Sequence, residues 1–128
     1  SAYGLPLGDA FQMRDDVLGA FGDTAITGKP VGDDLREGKP TPLMAIATAR
    51  ANAAQLKELQ LVGNQDLTPE QIARVQEVIR ETGALDELEV VITRLTDEAI
   101  AAVHNVPFAQ SVRDELITLA EYVSWRTV

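Results

Sequence analysis

Apolar residues recur along this chain at spacings of three and four, the period of helices packed on one face. From about Asp9 to Phe21, Ala10, Met13, Val17, Ala20 and Phe21 share one side, while Gln12, Asp15, Asp16 and Gly19 fall opposite. Gly22-Asp23 ends that pattern, and an irregular segment follows. Thr41-Pro42 reads as a helix start, with proline tolerated in the first turn. The alanine-rich run behind it predicts one helix from Leu43 to Leu61, stopped by Gly63-Asn64 and buried most of the way round. Thr68, Pro69 and Gln71 form a capping-box pattern ahead of a stripe of Ile72, Val75, Val78 and Ile79, with Gly83 as the stop.

A further helix is expected from about Leu85 to His104. Leu88, Val91, Ile92, Leu95, Ala99, Ile100 and Val103 lie on its inner face, and Glu87, Glu89, Arg94, Asp97 and Glu98 on its outer one. A last helix starting near Pro107 would bury Phe108, Val112, Leu116, Leu119 and Val123, with Tyr122 and Trp125 covering the core. No strand alternation, hairpin dipeptide or internal repeat interrupts the helical pattern. The expected class is all-α.

Composition narrows the functions available. In 128 residues the hydrophobic share of 45% suffices for a core, and the low aromatic share of 5% suits close-packed helices. A net charge of −9 argues against non-specific binding to nucleic acid or anionic lipid. Cysteine is absent, which removes thiolate metal sites and cysteine nucleophiles and fits a reducing, cytoplasmic setting. No apolar run approaches the length of a membrane span. The chain opens on Ser1-Ala2-Tyr3-Gly4 and reaches its acidic helix within a few residues, which reads as a piece of a longer protein.

The candidate chemistry sits in Phe11 to Lys39, which holds Asp15, Asp16, Asp23, Asp33 and Asp34 and two lysines, Lys29 and Lys39, each preceded by glycine. Carboxylates followed by loop lysines suit a metal bound to a polyanion. Each part alone is ordinary: an Asp-Asp pair is commonly a solvated face, and Gly28-Lys29-Pro30-Val31-Gly32 lacks the spacing and preceding strand of a nucleotide-binding P-loop. The single histidine, His104, fits structural capping at a helix end better than catalysis.

In order, however, Phe11-Gln12-x-x-Asp15-Asp16-x-Leu18, Gly22-Asp23, Thr27-Gly28-Lys29, Asp34 and Gly38-Lys39 closely resemble the second aspartate-rich region of trans-type isoprenyl diphosphate synthases. The resemblance runs through nearly all of the chain and implies the C-terminal part, residues 1–128, of an isoprenoid-synthase-type helical barrel that is usually a homodimer. It implies a prenyltransferase that joins an allylic diphosphate to isopentenyl diphosphate, releasing pyrophosphate with the help of Mg²⁺. It assigns Asp15 and Asp16 to the metal, Asp34 to metal-bound water, and Lys29 and Lys39 to the diphosphate. Gln12 and Phe11 are assigned to the reacting carbons, where an amide or ring face stabilises a cation without quenching it.

The sequence departs from the family's D-D-x-x-D in having Gly19 at the third acidic position, with Asp23 a turn further on. The family's other aspartate-rich motif is absent from these residues, so the isolated chain is expected to be inactive and to expose apolar helix faces. Two alternatives are a non-catalytic helical small subunit of a heteromeric synthase and a fragment of a terpene cyclase. The retained aspartates and lysines disfavour the former, and the Gly-Lys, Asp, Gly-Lys order disfavours the latter.

Overall fold

The computed structural model describes residues 3–22 and 32–127. Among them every regular element is an α-helix: α1 (Gly4–Phe21), α2 (Asp33–Glu37), α3 (Pro42–Arg50), α4 (Ala53–Leu59), α5 (Pro69–Glu81), α6 (Ala84–His104) and α7 (Gln110–Trp125). The all-α expectation holds. The chain divides into two compact units, Ser1–Arg14 with Glu89–Arg126, and Asp15–Leu88 with Thr127–Val128.

In the second unit α5 packs against α3 and α4. Its stripe of Ile72, Val75, Val78 and Ile79 is buried together with Leu35, Leu43, Ala47, Leu59 and Leu67. The capping box forms as read: the Thr68 hydroxyl accepts from the Gln71 amide at 3.1 Å, and the Gln71 side chain accepts from the Thr68 amide at 2.9 Å. Behind α5, Gly83 adopts a φ of +81°, a conformation that would strain a residue bearing a Cβ.

The alanine-rich stretch differs from expectation in being two helices. Ala51 and Asn52 are extended, and a second capping box closes on itself, with Asn52 Oδ1 accepting from Gln55 N–H at 2.8 Å and Gln55 Oε1 from Asn52 N–H at 2.9 Å. A side chain that satisfies the first orphan donors of a new helix offers the backbone an alternative to continuing the old one. All-round burial is also corrected: Leu43 and Ala47 are the buried residues of α3, while Ala45 and Ala49 are exposed. Helix α1 begins at Gly4, earlier than the expected Asp9. Pro6 falls in its first turn, where no intrahelical acceptor awaits an N–H, and Leu7 N–H is already bonded to the Tyr3 carbonyl at 3.3 Å.

In the first unit, Ala10, Ile92, Leu95, Ala99, Val103 and Ala120 are buried. Arg14 is buried among them. Its Nη1 and Nη2 donate to Glu89 Oε1 and Oε2 at 3.0 and 2.7 Å, and its Nε donates to the Ser124 carbonyl at 2.6 Å. Glu89, read as part of a wet face, is therefore half-buried as the partner of that guanidinium.

Helix α7 begins at Gln110 and not near Pro107, because Ala109 keeps an extended conformation and Arg113 Nη2 reaches back to the Val106 and Phe108 carbonyls at 3.3 and 3.4 Å. Its inward face carries the small residues Ala120 and Ser124. The stripe expected to be buried is largely exposed: Phe108, Val112 and Leu119 lie open, as do Tyr122 and Trp125. His104 stands exposed in the last turn of α6, where a basic side chain suits the helix dipole.

Candidate functional site

The second unit gathers the acidic residues. Near the C-terminal end of α1, Asp15 is half-buried and Asp16 is only 7% exposed. Asp16 was expected on an open wall opposite the core, and the structure corrects this because α2 lies over that face. Helix α2 is a single short turn held from several sides. Leu35 is buried beneath it, Arg36 Nε donates to the Leu67 carbonyl at 3.3 Å, and the Leu35 carbonyl accepts from Gly63 N–H at 2.8 Å. Gly32 and Gly38 bracket it with φ of +74° and +69°. At Gly38 a side chain would meet the Gly63 Cα at 2.9 Å, so both the backbone angle and the close approach require glycine.

This pinned turn delivers two groups toward α1. Asp34 places its carboxylate against the bare Cα of Gly19, in space that a Cβ at that position would occupy. Lys39 Nζ stands 3.7 Å from Asp34 Oδ2. Burial pushes the Asp16 carboxyl above the ordinary carboxylate range; the Lys39 ammonium pulls it down, and Asp34 and Asp15 push it up. Asp16 therefore feels Lys39, Asp34 and its neighbour Asp15 together, and Lys39 pairs with Asp34.

Such an arrangement suits a hard divalent cation. Its donors are all oxygens, the acidic excess is partly out of water, and the glycine socket keeps a carboxylate seated where a side chain would expel it. The lysine supplies a positive point for an anion sharing the same ion. Asp34 also lies with Asp33 and Glu37 in a group whose carboxylate oxygens fall within 4.8 Å of one another. The sequence reading did not single out Asp33 and Glu37, although their separation of four on one turn was a usable signal.

Phe11 and Gln12 belong to the first unit and are exposed, with Arg126 centred 4.2 Å from the Phe11 ring. Lys29 and Asp23 lie outside the described residues. No described helix is long and apolar enough to cross a membrane.

The all-helical fold thus brings together oxygen donors of a kind that suits a hard cation. Comparison with known proteins agrees. The Polyprenyl synthetase family matches residues 1–82. A geranylfarnesyl diphosphate synthase of Aeropyrum pernix is 35% identical over 116 residues, which cover 91% of this chain and 36% of that protein. The crystal structure of a geranylgeranyl pyrophosphate synthase from Corynebacterium glutamicum, complexed with isoprenyl diphosphate and magnesium, superposes with a TM-score of 0.92 at 44% identity, covering 98% of this chain and 36% of that one. A polyprenyl synthase from Caulobacter crescentus CB15, complexed with calcium and isoprenyl diphosphate, gives a TM-score of 0.85 at 36% identity, covering 99% and 39%.

The chain belongs to the polyprenyl synthetase family, and its fold is that of the helical isoprenyl synthases. It spans little more than a third of the length of the relatives it matches, 36% and 38% for the first two.

Proposed function

We propose that residues 1–128 form the C-terminal part of a prenyl diphosphate synthase domain, and that the complete protein condenses an allylic diphosphate with isopentenyl diphosphate, releasing pyrophosphate. The observation that carries this reading is the convergence of Asp15, Asp16, Asp34 and Lys39 on one face of α1. Solved relatives that hold magnesium or calcium beside isoprenyl diphosphate support it.

The chemical difficulty is charge. As the allylic C–O bond breaks, negative charge gathers on a diphosphate that is already anionic, and a carbocation forms beside it. Mg²⁺, when bound, would offset the negative charge that gathers on the departing pyrophosphate. Asp15 and Asp16 would hold the cation, and Asp34 would hold metal-bound water. Lys39, joined by Lys29, contacts the diphosphate directly. Partial burial of Asp16 keeps competing water away and strengthens each of these interactions. Phe11 and Gln12 face the reacting carbons with a ring and a neutral amide. The complete enzyme is a cytoplasmic homodimer in this reading, and the isolated chain is inactive because a second acidic motif is needed to complete the metal cage.

Incubating the full-length protein with Mg²⁺, an allylic diphosphate and labelled isopentenyl diphosphate tests the assignment. Chain elongation by the full-length protein, with none from residues 1–128 alone, is the expected result. Failure of the full-length protein to elongate overturns the function, and robust elongation by the short chain overturns the division of the site.

A further inference from the structure

We infer that Gly19 is a socket for Asp34, and that Asp34 thereby supplies the third carboxylate of the helix edge carrying Asp15 and Asp16; this rests on the function proposed above. Position 19 lies four residues after Asp15 and three after Asp16, so a side chain there would stand on the same face as both. The residue present is glycine, inside a helix of 18 residues. Glycine supports a helix less well than alanine does. Here the missing side chain is replaced from another element. A Cβ built on Gly19 would overlap the Asp34 carboxylate and lie 2.9 Å from its Oδ1, with the remaining carboxylate atoms closer still.

A Cβ at position 19 would require the Asp34 carboxylate to turn away from this seat. The Asp34 backbone belongs to the turn pinned by Leu35, Gly32 and Gly38, and its Oδ2 is paired with Lys39 at 3.7 Å. The third acidic group therefore arrives from residue 34 across space, and Gly19 acts as a positioning residue by leaving its seat open. The same arrangement makes the acidic edge complete only when α2 is docked on α1.

The test is direct binding of Mn²⁺ in the presence of inorganic pyrophosphate to the full-length protein, read by electron paramagnetic resonance, with thermal unfolding as a control. Gly19→Ala should weaken Mn²⁺ binding by about tenfold or more, the scale on which groups supporting metal ligands act, although alanine favours the helix. Asp34→Ala should weaken it by a similar factor, and the double variant should be no worse than either single one. Moving the carboxylate, as Gly19→Asp with Asp34→Ala, should recover most of the binding, and this holds even where Gly19→Ala alone folds poorly. Wild-type affinity in Gly19→Ala, losses that multiply in the double variant, or no recovery in the transplant would each overturn the socket. Absence of Mn²⁺-pyrophosphate binding in the wild-type protein would instead overturn the underlying function.

Discussion

Asp16 carries a conflict between stability and chemistry. Burial raises its folded pKa above the unfolded value, so the folded state holds its proton more tightly. In the cation-free protein its contribution to stability therefore falls as pH rises from about 3.9, the unfolded carboxylate value, to the raised folded one. Asp16→Asn should melt higher than the parent at pH 7 and close to it at pH 3, as calorimetry at the two pH values would record. The same change should remove the stabilisation that Mg²⁺ and pyrophosphate give the parent, about 2.7 kcal/mol at a hundred times the dissociation constant.

Arg14 presents the opposite case, a buried charge with each of its three nitrogens engaged. Replacing it with methionine orphans the Ser124 carbonyl and leaves Glu89 partly desolvated, at a cost of about 2–3 kcal/mol in urea unfolding. Glu89→Gln keeps an acceptor and should cost about 1 kcal/mol. A loss for Arg14→Met no larger than that for Glu89→Gln would contradict this view of the guanidinium as the anchor.

At the scale of elements, local chemistry decides what could be read in advance. Helix α5 was legible to its ends because its capping box, proline and glycine act on neighbouring residues. The break between α3 and α4 is also local, yet alanine propensity on both sides concealed the box formed by Asn52 and Gln55. Asn52→Ala should cost about 1 kcal/mol, measurable as a drop in thermal midpoint, and should let the two helices fuse. The seat of Asp34 on Gly19 was not legible, since it depends on how a turn docks on a helix and on no spacing within either. Burial of Arg14 escaped notice for the same reason: its partners lie 75 and 110 residues away. The motif order was legible as a family resemblance, whereas the short range of sequence patterns hid that Asp16 is covered.

At the scale of the molecule, the first unit exposes more apolar surface than its sequence pattern anticipates. Leu5 and Val90 are 70% and 67% exposed, and Tyr3, Val103, Val106, Phe108, Val112 and Leu116 line an apolar groove. Open faces of this kind tend to be covered by other protein. Residues 1–128 in isolation should therefore self-associate with rising concentration in sedimentation velocity, and a monodisperse monomer would contradict that expectation. The net charge of −9 makes the apolar faces, not charge attraction between copies, the driving contact.

The central claim is that the acidic edge of α1 grips the cation that lets pyrophosphate leave. Steady-state turnover of the full-length protein with Asp15 and Asp16 changed to alanine, at saturating Mg²⁺ and both substrates, tests it most directly. A fall in kcat of roughly a hundredfold to a thousandfold is expected, with helix content preserved. Turnover equal to that of the parent would contradict it.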